Sequence, residues 1–251
     1  MDSKTTGQPL KSAKAVFYRE EQHIPIVLSF IAAFVDVVCY IALFRTFTAF
    51  VTGTLIILAA EIIHPDELWI MKVIVVFAFI LSLFFWLIFM RQFKQWKYLR
   101  VVVLTMEAVL LGVFMLSGFL LSPLSGADSP ETILVALFAV FAMALQNAAM
   151  VQIFHQHVPT TVMTGNFVRF AISVIDIFGS GQAYAEKDKD AVFKTRSQLR
   201  HYCYVLAAFS AGALMGAIAY DAGGFFALIC PVLILTALAL YLWPRWHDSD
   251  E

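Results

Sequence analysis

The sequence predicts an all-α, polytopic membrane protein, and three observations carry that prediction. Of 251 residues, 61% are hydrophobic and only 14% charged, against roughly 45–50% and about 25% in ordinary globular domains. The mean hydropathy is +0.82. Eight apolar runs follow one another along the chain, most of them close to the ~20 residues that a helix needs to cross a bilayer core. Such a chain is not a wet-surfaced soluble enzyme, a disordered polymer or a disulfide scaffold. Its formal net charge of -1 carries no polyelectrolyte signal for nucleic acid.

The runs cover residues 25–44, 47–63, 69–90, 101–121, 132–154, 162–178, 202–220 and 224–243. The polar segment 1–24 carries Lys4, Lys11, Lys14 and Arg19. No small-residue cleavage site follows a short apolar core, so the first run reads as a retained span, with Pro25 suited to a first helical position. Cys39, Cys203 and Cys230 all lie in apolar runs and in no C-x-x-C pair, so they read as small core residues rather than disulfide or metal ligands. Runs 47–63 and 162–178 are short. Each is interrupted near its start, by Thr52-Gly53 in the first and Thr164-Gly165-Asn166 in the second.

Basic residues choose the topology. Arg91, Lys94, Lys97 and Arg100 crowd one connection, and Lys187, Lys189, Lys194, Arg196 and Arg200 crowd another, whereas the connections at 122–131 and 221–223 have none. Basic connections belong on the cytoplasmic side. If all eight runs crossed, the Arg91–Arg100 connection would lie outside. If the two short runs enter and leave by one side, every basic connection lies inside. The expected architecture is therefore six transmembrane helices plus two re-entrant, broken short helices, with both termini cytoplasmic. The expected organisation is a cytoplasmic segment 1–24, a first repeat 25–121, an external loop 122–131, a second repeat 132–243 containing a cytoplasmic loop 179–201, and a tail 244–251. Each half reads as long helix, broken short segment, long helix, long helix. With an odd number of spans in each half, the second is inverted relative to the first. A 3+3 inverted repeat with discontinuous helices is common among secondary transporters, which place their substrate near the midplane.

The broken segments have a chemistry of their own. A half-helix from Gly53 to Ile63 is roughly 16 Å long, half of a ~30 Å core. Its N-terminus would lie deep, with unpaired N–H groups and partial positive charge. Thr52 and Thr164 are candidate N-caps, and Gly53 and Gly165 let a backbone or ligand come close. Two such ends meeting would make a site for an anion or a carbonyl-bearing solute. Tight packing of small residues between helices is the plainer account of Thr-Gly.

Asp36 lies about 11 residues into its run, roughly 16 Å deep. A carboxylate there costs on the order of 2.5–3.5 kcal/mol on insertion scales and should face the bundle interior. It is a candidate for proton coupling or for binding a substrate amine. It is equally a candidate to hydrogen-bond the Thr52-Gly53 turn. Gln146 and Asn147 stand at nearly the matching place in the second half and carry no charge. Arg169, four residues after Gly165, is a candidate for substrate contact or for pairing with Asp176 or Glu107. Glu107 is expected to snorkel or pair, and Glu61 to sit in wet headgroup territory. His155-Gln156-His157 invites a metal reading, but residues two apart face different sides of a helix and no acid or cysteine stands close, so no metal or other cofactor is expected. Nucleophile-elbow, P-loop, dinucleotide and H-E-x-x-H motifs are absent, and no enzymatic activity is expected.

Two blocks then carry a resemblance. Phe34-Val35-Asp36 with Phe50-Val51-Thr52-Gly53-Thr54, and Met143-Ala144-Leu145-Gln146-Asn147-Ala148 with Thr160-Thr161-Val162-Met163-Thr164-Gly165-Asn166, resemble the signature blocks of the YoaK-like bacterial membrane proteins. That family has no known function and is described as six-span. The resemblance covers about residues 24–243, with Gln146-Asn147…Thr164-Gly165 its most specific part. It departs at Thr54, where the family often has Asn. It implies a bacterial inner-membrane protein and no particular substrate.

The functional expectation is a secondary transporter of a small solute, coupled to protons. Its expected partners are the lipid bilayer, the solute and a second copy as a homodimer. A gated channel with re-entrant segments and a non-transporting scaffold or sensor are the alternatives. The apolar approaches 47–51 and 158–163 favour a gated carrier over an open channel.

Overall fold

In the computed structural model, residues 23–63, 69–154, 163–178 and 189–243 are described. The segments 1–22, 64–68, 155–162, 179–188 and 244–251 lie outside them, and with them the N-terminal segment, His155-Gln156-His157, most of the approach to the second break, and the tail. The described residues are helical, with no strand among them. They form α1 (His23–Ala42), the short α2 (Val51–Ile63), α3 (Ile70–Gln92), α4 (Leu99–Leu120), α5 (Pro130–Gln152), the short α6 (Met163–Phe178), α7 (Lys189–Gly223), a 3-10 turn (Gly224–Leu228) and α8 (Ile229–Leu242).

Among the described residues, five helical stretches are long and apolar enough to cross a membrane: α1, α3, α4, α5 and the 48-residue stretch Thr195–Leu242. The last differs from the expected pair of separate runs. Helix α7 begins at Lys189, inside what reads from sequence as a loop at 179–201, so Lys194, Arg196 and Arg200 ride on a helix. The chain bends at Gly224, whose φ of +56° is a left-handed conformation that glycine adopts without a Cβ clash. The 3-10 turn then lays α8 against α4.

Local chemistry accounts for the helix ends. Ser129 caps α5, its Oγ accepting the Thr132 N–H at 3.3 Å with Pro130 and Glu131 in the first turn. Helix α3 has no side-chain cap of its own. Asp128 supplies one from the loop before α5, accepting the N–H groups of Met71 at 2.9 Å and Ile70 at 3.4 Å. After Ala42 the chain reverses through Phe44 and Arg45, at φ 49° and 61°. That is an unfavourable region for side chains with a Cβ, worth on the order of 1–2 kcal/mol per residue.

Helices α1 and α5 are the most enclosed. Helix α1 runs parallel to α7, with Phe30 against Gly212 and Phe34 and Val37 against Gly216. A Cβ on Gly212 would collide with the Phe30 carbonyl oxygen, and one on Gly216 would stand 2.8 Å from that of Phe34. The two glycines thus permit a backbone-to-backbone approach, as small residues four apart do in membranes. Helix α3 runs parallel to α5, with Met71 at Asp128 and Trp86 at Phe141. There the contact is bulky. The Trp86 Nε1–H donates to the Phe141 carbonyl at 3.0 Å, and the two rings sit 4.7 Å apart. Helix α4 runs antiparallel to α8, with Phe119 on Phe226 and Tyr98 on Trp243. Phe77, Leu81, Phe84 and Ile88 form an outward stripe along α3. Its i, i+4, i+7, i+11 spacing is one helix face, an apolar face that hydrocarbon would cover.

Candidate functional site

The first break is built around Asp36. Residues 43–50 fold back along α1, and the carboxylate accepts three successive backbone N–H groups: Thr48 at 2.8 Å, Ala49 at 2.7 Å and Phe50 at 2.8 Å. The Thr48 hydroxyl stands at 3.5 Å from the same carboxylate and 3.3 Å from the Cys39 sulfur. These amides immediately precede α2, so Asp36 is the anion at the α2 N-terminus. Of the two sequence readings of Asp36, the geometry fits the hydrogen-bonded turn, at Thr48–Phe50 rather than at Thr52-Gly53. Asp36 is six residues from Ala42, roughly 9 Å below the end of α1 and roughly 5 Å past the middle of that helix.

Thr52 is not the cap. It lies inside the first turn of α2 and faces outward. Thr54, buried, locks the turn instead: its Oγ1 accepts the Phe47 N–H at 2.9 Å and donates to the Phe47 carbonyl at 2.7 Å. Gly53 is covered by aromatic rings rather than opened to a ligand. A Cβ there would stand 2.5 Å from the Phe50 ring and 3.0 Å from that of Phe47.

The far end of α2 holds a feature that sequence alone misplaced. Glu61 is not in headgroup water. It is 6% exposed and pairs with Lys72, 1% exposed, at 2.8 Å. A buried pair survives only when each charge has the other. The signal in the sequence was one acid and one base, each alone in an apolar helix, on either side of a short connection.

The second break is held differently. Gln146 Nε2 donates to the Leu28 carbonyl at 2.7 Å, tying α5 to α1, while its Oε1 is buried without a partner among the described residues. Asn147 Nδ2 donates one turn back to the Met143 carbonyl at 2.9 Å. In α6, Thr164 faces outward and Gly165 is half-buried. Asn166 is buried, its Nδ2 3.5 Å from the Met163 sulfur. Arg169 is half-buried, and its carbonyl accepts the Ser173 hydroxyl at 2.9 Å. Helix α6 packs on α7 and α2 packs on α3. Different neighbours thus hold the two short helices, and the expected end-to-end meeting of two Thr-Gly turns is not what organises the described residues.

Glu107 is fully buried in α4, and neither carboxyl oxygen has a hydrogen-bond partner among the described residues. It neither snorkels nor pairs with Arg169. Sequence reasoning also passed over Lys72, Asp128, Thr54 and the Gly212–Gly216 pair. The spacing of that last pair was readable, although the helix it meets was not.

Bilayer-length helices and outward apolar stripes define a multi-pass helical membrane protein. The family model described as "protein of unknown function (DUF1275)" matches residues 24–241, and the chain belongs to that family, in agreement with the resemblance of its signature blocks. No curated protein and no solved structure matches the chain.

Proposed function

We propose that the protein carries a small solute across a bacterial inner membrane, coupled to protons, through six crossings arranged as two inverted halves, each with a re-entrant short helix. The observation that carries this reading is the direction of three helix pairs. Were all eight helices to cross, α4 and α8 would run the same way, whereas Tyr98–Trp243 and Phe119–Phe226 put them antiparallel. Were α2 alone to cross, α1 and α7 would run oppositely, whereas the Gly212 and Gly216 contacts make them parallel. Both directions follow if neither short helix crosses. Thr195–Leu242, at 48 residues, is roughly 72 Å of helix, enough for two crossings of a ~30 Å core.

The start of α2 beside Asp36 and its far end at Lys72, early in α3, support a helix that enters and leaves by one face. Exchanging the halves turns the α1/α7 pair into the α5/α3 pair and leaves α4/α8 on itself, as an inverted repeat requires. Such repeats with interrupted helices serve alternating access in many transporters. The substrate residues on this reading line the two breaks: Asp36 and Thr52 at the first, and Gln146, Asn147, Thr164, Gly165, Asn166 and Arg169 at the second. For the proton, Glu107 is better placed than Asp36, because three amides already engage the Asp36 carboxylate and none engages Glu107.

Uptake into proteoliposomes, with and without a pH gradient, tests the reading. Wild type should show gradient-driven flux of a small polar solute, and Glu107→Gln should keep flux while losing its dependence on the gradient. Absence of flux across a broad solute panel would leave the scaffold reading in its place. Topology is read separately by cysteine labelling: positions 66 and 128 should label from one side and position 94 from the other.

A further inference from the structure

The connection between α3 and α4 does more than mark a side of the membrane. Together with the end of α5 it forms a cleft of about 390 Å³. Arg91, Lys94, Lys97 and Arg100 line it with Gln95 and Gln152, and no acidic residue does. Helix α4 opens at this cleft. Its N-cap, Tyr98, makes no side-chain capping bond, and its first turn holds no acid, so the partial positive charge of the helix end adds to the four cations. At two other N-termini an acid supplies the anion, Asp36 for α2 and Asp128 for α3. Arg91 sits in the last turn of α3, where it complements that helix end, and Lys97 lies 5.4 Å over the Tyr98 ring. Arg91 and Lys94 are both exposed at the cleft.

We infer that this cleft binds the phosphate of an anionic phospholipid headgroup. The position selects a lipid over a soluble anion. The cleft lies at the ends of three bilayer-length helices, its lining includes the apolar Leu99 and Ile153, and Trp96, also in the lining, sits 4.7 Å from Phe93, itself 4.8 Å from Phe89. Aromatic rings at a helix end mark the headgroup level, and basic pockets between membrane helices hold acidic headgroups. A lining that joins four cations to apolar side chains matches a phosphodiester with its acyl chains.

The test uses the full chain in nanodiscs of phosphatidylcholine with graded phosphatidylglycerol, counting retained lipid by native mass spectrometry. Phosphatidylglycerol should be retained over phosphatidylcholine. Arg91→Gln with Lys94→Gln, both outward-facing, should weaken that retention roughly fivefold for each charge removed without altering the thermal melt. Arg196→Gln with Arg200→Gln, the same charge change on α7, should leave it unchanged. Equal weakening by both double variants would overturn the site in favour of diffuse surface attraction. Binding of inorganic phosphate in neutral nanodiscs that depends on Arg91 and Lys94, with no preference for phosphatidylglycerol, would overturn the lipid assignment. The outcome does not depend on whether the protein transports a solute.

Discussion

The two short helices open on the same Thr-Gly step and are secured by opposite chemistry. Helix α2 is held by charge at both ends: the Asp36 carboxylate gathers three amides before its first turn, and Glu61 pairs with Lys72 near its last. Helix α6 has neutral groups at the corresponding places. Gln146 and Asn147 stand near the place of Asp36, and Ser173, as far beyond Gly165 as Glu61 is beyond Gly53, donates to the carbonyl of Arg169 one turn back. A charge-assisted bond in a low-dielectric bundle is stronger than a neutral one and costs more to break. The comparison assigns rigidity to the first break and leaves the second as the more easily moved.

Substitutions can break that comparison, beginning with the largest effect. Lys72→Ala strands Glu61 in the interior and should cost about 3–5 kcal/mol, read by chemical unfolding in bicelles. Ser173→Ala should cost far less, and Lys72→Met with Glu61→Leu should recover most of the loss. Equal costs for Lys72→Ala and Ser173→Ala would erase the asymmetry. Asp36→Ala removes the acceptor of three amides and should cost about 3 kcal/mol, with faster hydrogen exchange confined to Thr48, Ala49 and Phe50.

Gly212→Ala should loosen the α1/α7 pair by about 1–3 kcal/mol, because the added methyl meets backbone. Gly112→Ala, where a Cβ meets nothing within 4 Å, should be neutral or stabilising, and paired thermal melts compare the two. Gln146→Leu should cost least, about 0.6 kcal/mol, the usual worth of an interhelical hydrogen bond in a membrane. A cost near that of Asp36→Ala would make the second break as rigid as the first.

Much of the first break was legible. Asp36 stood out as a carboxylate among Phe34, Val35, Val37 and Val38, and Thr52-Gly53 marked the interruption. What it bonds was not legible, since a left-handed reversal at Phe44 and Arg45 decides which amides return to it. Glu61 read as a helix-end charge because distance along the chain says nothing of depth once a helix tilts and packs. Glu107 looked able to reach water, yet the helices around α4 enclose it.

The sequence by itself determined which segments are apolar enough for a bilayer, which two are the shortest, where the basic connections lie and that Asp36 stands in an apolar run where a charge is costly. Those properties follow from transfer free energies that sum along the chain, residue by residue. Only the tertiary structure decided that Asp36 caps α2, that Lys72 answers Glu61, that α4 and α8 run oppositely and that Glu107 has no partner among the described residues. Each of these depends on which group lies across a gap of a few ångströms, and helix packing sets that gap rather than the order of residues.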